Sequence, residues 1–269
     1  MSNVSLNLDT EALAQHYETI SVERQFKAGK NLIAMLAPAA GEQVLDVGAG
    51  TGLLAEHVAG LVGPSGAVLG IDPLPLRIAL AKRKERGNLS FAVADAHDLS
   101  ALPANAFDIV YLNAVFHWLT DQKLALRQIF RVLKPGGRLG ISTGSKDHPG
   151  VLQEIKARLF SKPPFARYPQ ALNGVPGRVN AGQLAILFAE AGFGTKQIDV
   201  QPNVQIQPSA EAAIEFSQAS SFGNFLGNLP AELRPVARES IRQELERLRT
   251  PEGIRSATAR IVAVAVKPL

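Results

Sequence analysis

The run QVLDVGAGTG at residues 43–52 constrains the fold of this chain more than any other segment. Its first half is apolar and suits a short strand that is buried on both faces of a parallel sheet. Gly48, Gly50 and Gly52 follow at alternate positions, where the absence of a Cβ allows a sharp turn and a close approach to a ligand. Apolar residues at helical spacing come next and predict a helix over 53–62. A strand, a glycine turn and a helix together form half of a nucleotide-binding unit.

The spacing of the three glycines separates two classes of cofactor. A dinucleotide site needs G-x-G-x-x-G, which leaves a bare helix N-terminus for the pyrophosphate. Here the third glycine, Gly52, comes one residue early, and Asp46 stands just before the turn. A carboxylate there would repel a pyrophosphate, whereas it would suit a ligand with a positively charged amino group. The spacing therefore disfavours a nicotinamide-dependent oxidoreductase.

The run resembles motif I of the class I S-adenosylmethionine-dependent methyltransferases, whose pattern is close to D-x-G-x-G-x-G. The resemblance is strong over residues 40–145 and weak over the remainder. It implies S-adenosylmethionine as the cofactor and a set of cofactor contacts along the predicted crevice. These residues are Asp46, Gly48, Ala49, Gly50, Gly52, Asp72, Pro73, Asp95, Ala96 and Asn113.

Polar residues end the later predicted strands at positions that agree with this resemblance. Asp72 lies twenty residues past Gly52, the distance at which a Rossmann-type second strand presents a carboxylate to ribose hydroxyls. Asp95 ends the third strand, where the resemblance implies a contact with the adenine amino group. Asn113 ends the fourth strand and is expected to face the crevice in which open α/β sheets bind ligands.

The order of these elements predicts an α/β fold with a Rossmann-like, seven-stranded, mostly parallel sheet and helices on both faces. The last two strands are expected at 195–206 and 259–268. Helical patterns at about 209–219 and 231–249 lie between them and predict a helical lid, because an insertion of that length between paired strands is usually functional. Five of the seventeen prolines fall within 147–180, which predicts irregular backbone there.

The chain is expected to divide into three parts. These are N-terminal helices over the cofactor site at 1–40, a cofactor-binding core at 41–146, and a C-terminal half at 147–269 that completes the sheet and carries a substrate cap at about 207–253. Within the first part, the pattern predicts helices at about 9–18 and 21–36. Ser21 is a suitable N-cap for the second of them.

The loop after the fourth strand holds the strongest candidates for contact with the acceptor. His117 is expected to titrate near neutrality, so it could take a proton from the acceptor, line the pocket or merely pack a helix edge. Trp118 could stack on a flat substrate or wall the pocket. The predicted substrate pocket consists of Tyr17, Arg24, His117, Trp118, Phe222 and Phe225.

The expected activity is methyl transfer to a small organic acceptor, with oxygen of a carboxylate or hydroxyl slightly preferred over carbon. Two alternatives stay open: C-methylation of a quinone-type precursor, and a catalytically silent module that only binds the cofactor. A carboxylate acceptor would need an arginine for a bidentate grip. The candidates are Arg24 near the N-terminus and Arg167 and Arg178 in the second half. The sequence does not indicate which of them lies in the pocket.

Composition narrows the remaining classes of partner. The chain has no cysteine, which excludes disulfides, thiolate metal sites and thiol nucleophiles, and the histidines lack metal-ligand spacing. The net charge of +4 is scattered and aromatic residues make up only 6%, so no nucleic-acid groove is expected. Without a long apolar run or a leader pattern, we expect neither a membrane span nor export, and hence a cytoplasmic protein. The oligomeric state stays open.

Overall fold

The computed structural model describes residues 8–13, 15, 22–172, 177–221 and 223–269, and only the backbone of residues 22–24. The described residues form a seven-stranded sheet. Its strands are β1 (Gln43–Val47), β2 (Ala67–Asp72), β3 (Leu89–Val93), β4 (Phe107–Asn113), β5 (Leu133–Gly144), β6 (Gly194–Gln207) and β7 (Ile254–Val266).

The strand order across the sheet is β3-β2-β1-β4-β5-β7-β6. Neighbours from β3 to β5 pair in parallel, whereas β7 runs antiparallel to both β5 and β6. The predicted fold class is therefore confirmed, including the two C-terminal strands. The order reverses between β1 and β4, and this switch point is where open α/β sheets form a ligand crevice at the carboxyl ends of their strands.

The described helices precede the first strand or lie between later strands. They are α1 (Val22–Leu36), α2 (Leu53–Val62), α3 (Pro75–Ala81), α4 (Gln122–Val132), α5 (Val151–Phe160), α6 (Ala181–Glu190), α7 (Ala210–Ser220), α8 (Asn224–Gly227) and α9 (Arg234–Glu246). The second predicted N-terminal helix matches α1. Much of the first, predicted at 9–18, lies outside the described residues.

Two apolar clusters cover the two faces of the sheet. Helices α1, α2 and α3 pack on one face, where Leu32, Val58 and Ile78 are almost fully buried. Helices α4 and α6 pack on the other face through residues such as Leu126 and Phe188. Both layers of helices stabilise the sheet, because each fully buried apolar side chain of this size contributes about 1.5–3 kcal/mol.

A third apolar cluster joins α5 to helices of the insertion between β6 and β7 and includes Ile254 at the start of β7. Ile155 of α5, Ile214 of α7 and Ile241 of α9 belong to it and are at most 2% exposed. The prediction of irregular backbone throughout 147–180 is wrong for α5, because the prolines at 149, 163 and 164 flank this helix rather than interrupt it. The cap over the sheet edge thus combines two separate segments of the chain.

Candidate active site

The glycine turn after β1 packs too closely on its surroundings to accept a side chain. Gly48 has a φ of 79°, and a Cβ at this position would lie 2.2 Å from Cγ2 of Val115. The amides of Gly48 and Ala49 donate to the Ile71 carbonyl oxygen at 2.7 and 2.9 Å. These main-chain bonds tie the turn to β2, and Gly48 and Gly50 form one wall of a crevice at the carboxyl ends of the strands.

Asp72, at the end of β2, connects the glycine turn to the next loop. Its Oδ2 accepts the amide of Gly50 at 3.0 Å, and its Oδ1 accepts the amide of Leu74 at 2.9 Å. Burial raises the pKa of this carboxyl, while the two amides and the charge of Arg77 act in the opposite direction. Each carboxylate oxygen has a second lone pair, so Asp72 can still accept hydrogen bonds from a ligand in the crevice.

Asn113 presents an acceptor to the crevice from the end of β4. Its Nδ2 donates to the Gln25 carbonyl oxygen at 3.0 Å, which fixes the orientation of the amide. Its buried Oδ1 has no hydrogen-bond partner among the described residues. An orphaned buried acceptor is costly, and a positively charged amino group in the crevice would satisfy it.

Helix α1 lies directly over this end of the crevice. A Cβ at Gly29 would lie 2.9 Å from Nδ2 of Asn113 and 2.6 Å from Cδ2 of Leu54. Only a glycine therefore allows the helix to approach so closely without displacing those side chains. Gln25, one turn earlier, lines the crevice itself.

The structure brings together seven of the ten residues predicted to contact the cofactor. Gly48, Gly50, Asp72, Pro73, Asp95, Ala96 and Asn113 line the crevice. Ala49 and Gly52 do not. A Cβ at Gly52 would lie 2.6 Å from Cζ of Phe91, so this glycine allows α2 to pack on the sheet.

Asp46 does not line the crevice either, and its carboxylate is buried behind the glycine turn. The residue is 2% exposed, and its Oδ2 accepts the hydroxyl of Tyr111 at 2.7 Å. Burial raises the pKa of Asp46 from 3.8 to about 7; the Tyr111 hydrogen bond lowers it and the charge of Asp72 raises it further. Its position indicates support of the turn rather than direct contact with a ligand.

The Asp95 side chain stands at the opposite, more open end of the crevice. It is 55% exposed, and its Oδ1 accepts the backbone amide of His97 at 2.9 Å and lies 2.6 Å from Nδ1 of the same residue. Ala96 between them is buried. His97 also lines the crevice, a position that sequence reasoning missed because no motif marks it.

A second and larger cavity, here called the acceptor chamber, adjoins the crevice. Its volume is about 510 Å³, and it lies between β5, β7 and the cap helices α5 and α7. Both cavities are lined by Gln25, Ala114, Trp118 and Ser220. A ligand in the crevice and one in the chamber would therefore meet across this common wall.

His117 lies in the wall of the acceptor chamber, where its Nδ1 is 2.9 Å from Oγ1 of Thr143. The pKa of its imidazole is lowered from 6.5 to about 3, mainly by burial and in addition by the charges of Arg178 and Arg260. The expectation that His117 titrates near neutrality is therefore wrong. Its imidazole is neutral at physiological pH and is a weak base.

The remaining predicted pocket residues fall into two groups. Tyr17 and Phe222 lie outside the described residues, as does the side chain of Arg24. Phe225 and Trp118 both line the acceptor chamber. Phe225 is 7% exposed and belongs to the apolar cluster of the cap.

Of the three arginines considered for a carboxylate, only Arg178 is seen in the chamber wall. Arg167 is exposed and does not line it. Sequence reasoning missed Arg260 on β7 and Lys156 on α5, which also line the chamber. In the sequence, each of them is only a cation within an otherwise apolar strand or helix face. No local motif marks them, because the fold brings together residues that are distant in the chain.

Two further sequence expectations concern metals and membranes. Within the described ranges, no three His, Asp or Glu side chains cluster in a way that could hold a metal ion. None of the described helices combines the length and the hydropathy needed to cross a bilayer.

Comparison with known proteins identifies the family to which this chain is related. The family described as "Methyltransferase domain" matches residues 45–141. The O-methyltransferase cnsE of Penicillium expansum is 32% identical over 209 residues, which cover 76% of this chain and 70% of the relative. Trans-aconitate 2-methyltransferase of Deinococcus radiodurans is 27% identical over 248 residues, or 89% and 92% of the two chains.

Two other similarities cover different portions of the chain. The ubiquinone/menaquinone biosynthesis C-methyltransferase UbiE of Pasteurella multocida is 40% identical over 120 residues, which span 43% of this chain and 44% of the relative. The crystal structure of YcgJ from Bacillus subtilis has the same fold, with a TM-score of 0.60 and 19% identity over 90% of this chain and 99% of that one.

These comparisons confirm the cofactor that the sequence predicted, S-adenosylmethionine, and the class of enzyme. The crevice fits that cofactor, since it offers a carboxylate for hydroxyl groups and an orphaned amide oxygen for an amino group. The chain belongs to the class I S-adenosylmethionine-dependent methyltransferases.

Proposed function

We propose that this protein transfers a methyl group from S-adenosylmethionine to an oxygen of a small organic acceptor bound in the acceptor chamber. The common wall of the two cavities, at Gln25, Ala114, Trp118 and Ser220, is the observation that carries the proposal. A cofactor in the crevice and an acceptor in the chamber would be neighbours at these four residues. A chamber of about 510 Å³ has the size of a small-molecule site.

The cofactor would be held by the residues that line the crevice. Asp72 would accept the ribose hydroxyls, and Oδ1 of Asn113 would accept the amino group of the methionine part. Asp95 and the amide of Ala96 would contact the adenine. Asp46 would keep the glycine turn in place through Tyr111. S-adenosylmethionine supplies an activated methyl carbon, so the task left to the protein is to align the acceptor and exclude water.

The cap and α1 would exclude water from the two cavities. Helix α1 reaches the crevice through Gln25, and the cap helices α5 and α7 close the chamber on the side away from the sheet. The cap would therefore determine which acceptors enter. Trp118, in the common wall, would position the acceptor against the cofactor.

A carboxylate oxygen is favoured as the acceptor atom because His117, which lies next to the common wall, is a weak base. The imidazole of His117 has a pKa lowered to about 3, so it would remove a proton poorly from an alcohol or a carbon acid. A carboxylate needs no deprotonation. Two relatives that match at least 76% of this chain are an O-methyltransferase and a methyltransferase named for trans-aconitate, which supports the same choice.

C-methylation of a quinone-type precursor is the second candidate, because UbiE proteins match this chain at up to 40% identity. That match spans only 43% of the chain. Since relatives of different acceptor chemistry share the cofactor-binding half, the match supports a common donor more than a common acceptor.

The experiment is transfer of a tritiated methyl group from S-adenosylmethionine to a panel of phenols, alcohols, quinols and carboxylic acids. We expect S-adenosylhomocysteine to form at the rate at which an oxygen-linked methyl appears in product. Asp72→Ala serves as the control with impaired cofactor binding. A carbon-linked methyl would establish the second candidate, and cofactor binding without transfer to any acceptor would favour a catalytically silent module.

A further inference from the structure

The described wall of the acceptor chamber carries basic side chains and no acidic ones. The cationic residues are Lys146, Lys156, Arg178 and Arg260. The whole chain has 28 basic and 24 acidic residues, so an average wall would contain both signs. Such an excess of positive charge in a partly closed cavity attracts anions.

Arg178 has no counterion among the described residues. Its residue is partly buried, and burial lowers the pKa of its guanidinium. No described side chain or carbonyl forms a hydrogen bond or ion pair with that group. Removing an arginine from water without an acceptor costs free energy, and a carboxylate in the chamber would offset this cost.

Arg260 lies close to the same end of the chamber. It belongs to β7, and its Nη1 donates to Oγ of Ser142 on β5 at 3.0 Å, which fixes the guanidinium against the sheet. The charges of Arg178 and Arg260 both act on His117, the neighbour of the shared-wall residue Trp118. The two guanidinium groups therefore lie near His117 in the chamber wall.

Lys156 places a third cation on the cap side. The residue is 7% exposed, and its Nζ donates to the Phe225 carbonyl oxygen at 2.6 Å. Burial lowers the pKa of this amine to about 8, so it is mostly charged near neutrality. No described carboxylate lies within ion-pair distance of it. Cations at two sides of one cavity suit a ligand with more than one negative charge.

We propose that the acceptor is a small acid with at least two carboxylates, one of them held by Arg178 and Arg260, and that the product is its methyl ester. This inference rests on the proposed function and specifies the substrate class of that site. A carboxylate oxygen supplies the electron pair of the new bond to the methyl carbon. The bond between that carbon and the sulfonium sulfur breaks, the sulfur keeps the pair, and no proton has to be removed.

The first test is a binding measurement that does not require turnover. The protein saturated with S-adenosylhomocysteine is titrated with tricarballylate, with butyrate, and with the neutral trimethyl ester of tricarballylate in a calorimeter. We expect tricarballylate to bind most tightly. Arg178→Gln and Arg260→Gln should each weaken it by about 10- to 100-fold, the loss expected when a charged hydrogen-bonding partner is removed.

Matched variants distinguish specific binding of a carboxylate by Arg178 and Arg260 from a change in folding or in overall charge. Arg255→Gln removes an exposed arginine from the same strand as Arg260 and should leave tricarballylate binding unchanged. Arg178→Lys keeps the charge but loses the fork of donors, so it should bind with intermediate affinity. All variants should bind S-adenosylhomocysteine with about the wild-type affinity, which also reports that they are folded.

The second test identifies the new bond. Methyl groups transferred to tricarballylate or succinate should be released as volatile methanol by mild alkali, as an ester requires and an ether does not. Tighter binding of butyrate or of the neutral ester, equal binding by Arg178→Gln and wild type, or an alkali-stable methyl on the preferred acceptor would each overturn the inference. Arginine-dependent tricarballylate binding without any methyl transfer would support the ligand class and instead contradict the proposed function.

Discussion

The cofactor crevice and the acceptor chamber share a wall but are built by different means. The crevice uses main-chain groups and short side chains at the ends of consecutive strands, such as the amides that Asp72 accepts. The chamber uses long side chains from distant segments, such as Lys156 of α5 and Arg260 of β7. A crevice of this kind can bind one cofactor in many relatives, whereas a chamber of this kind can change its ligand by single substitutions.

This contrast has a consequence for mutations. Changes in the crevice alter the backbone, so they should affect folding and cofactor affinity together. Changes in the chamber alter one charge or one ring, so they should affect the acceptor alone.

The largest effect is expected for Gly48→Ala. The left-handed backbone costs a non-glycine residue about 1–2 kcal/mol, and a Cβ at 2.2 Å from Val115 adds an overpacking cost of about 1–3 kcal/mol. The free energy of unfolding should therefore fall by roughly 2–5 kcal/mol, measured by urea denaturation. Gly60→Ala is the control, because nothing lies within 4 Å of its Cβ and alanine favours a helix by about 0.5–1 kcal/mol. Equal stability of both variants would contradict the tight packing of the turn.

The second effect is a pH dependence caused by Asp46. Because its pKa is raised in the folded state from 3.8 to about 7, the folded protein binds more protons than the unfolded chain between these values. Asp46 therefore stabilises the fold fully below about pH 4, and this contribution is lost as the pH rises to about 7. A shift of this size corresponds to at most about 4 kcal/mol.

Asp46→Asn separates the structural role of this residue from a direct contact with the cofactor. The variant should lose the Asp46 part of the pH dependence in denaturation curves at about pH 5 and 8, while its amide oxygen can still accept the Tyr111 hydroxyl. Its affinity for S-adenosylhomocysteine should fall less than that of Asp72→Ala. A greater loss would mean that the Asp46 carboxylate itself contacts the cofactor.

The third effect concerns Asp72, which stands in the crevice itself. We expect Asp72→Ala to weaken binding of S-adenosylhomocysteine by about 1–3 kcal/mol, because it removes a charged acceptor and frees the amides of Gly50 and Leu74. Titration calorimetry measures this change. Affinity close to wild type would exclude Asp72 as the acceptor for the ribose hydroxyls.

The crevice could be predicted from the sequence because its residues follow local rules. A glycine is required where φ is positive, as at Gly48 and Gly50, and polar residues end buried strands, as at Asp72 and Asn113. Both features repeat along one stretch of the chain. The helices of the insertion between β6 and β7 followed from periodic patterns at about 209–219 and 231–249.

The chamber could not be predicted in the same way, for physical reasons. Thr143 lies near His117 through the pairing of β5 with β4, and Arg260 through the pairing of β7 with β5. No local pattern encodes these pairings. The pKa of His117 depends on burial and on two arginines far away in sequence. The proline content of 147–180 led to a wrong prediction for α5. The sequence alone does not distinguish prolines that flank a helix from prolines within irregular backbone.

The smallest effect is expected for His117, and it tests whether the chamber needs a base. With a pKa of about 3, the imidazole should show no titration between about pH 5 and 8 in proton NMR spectra, assigned by comparison with His117→Gln. That variant should bind S-adenosylhomocysteine normally and should reduce turnover of the preferred acceptor by less than about tenfold, since it changes the contacts with Thr143 and Trp118 but removes no proton acceptor that the reaction needs. Loss of a general base would cost about 10²–10⁴-fold and remove a limb of the pH–rate profile near neutrality. Such a loss would show that the chamber performs proton transfer and would remove the main reason for preferring a carboxylate oxygen.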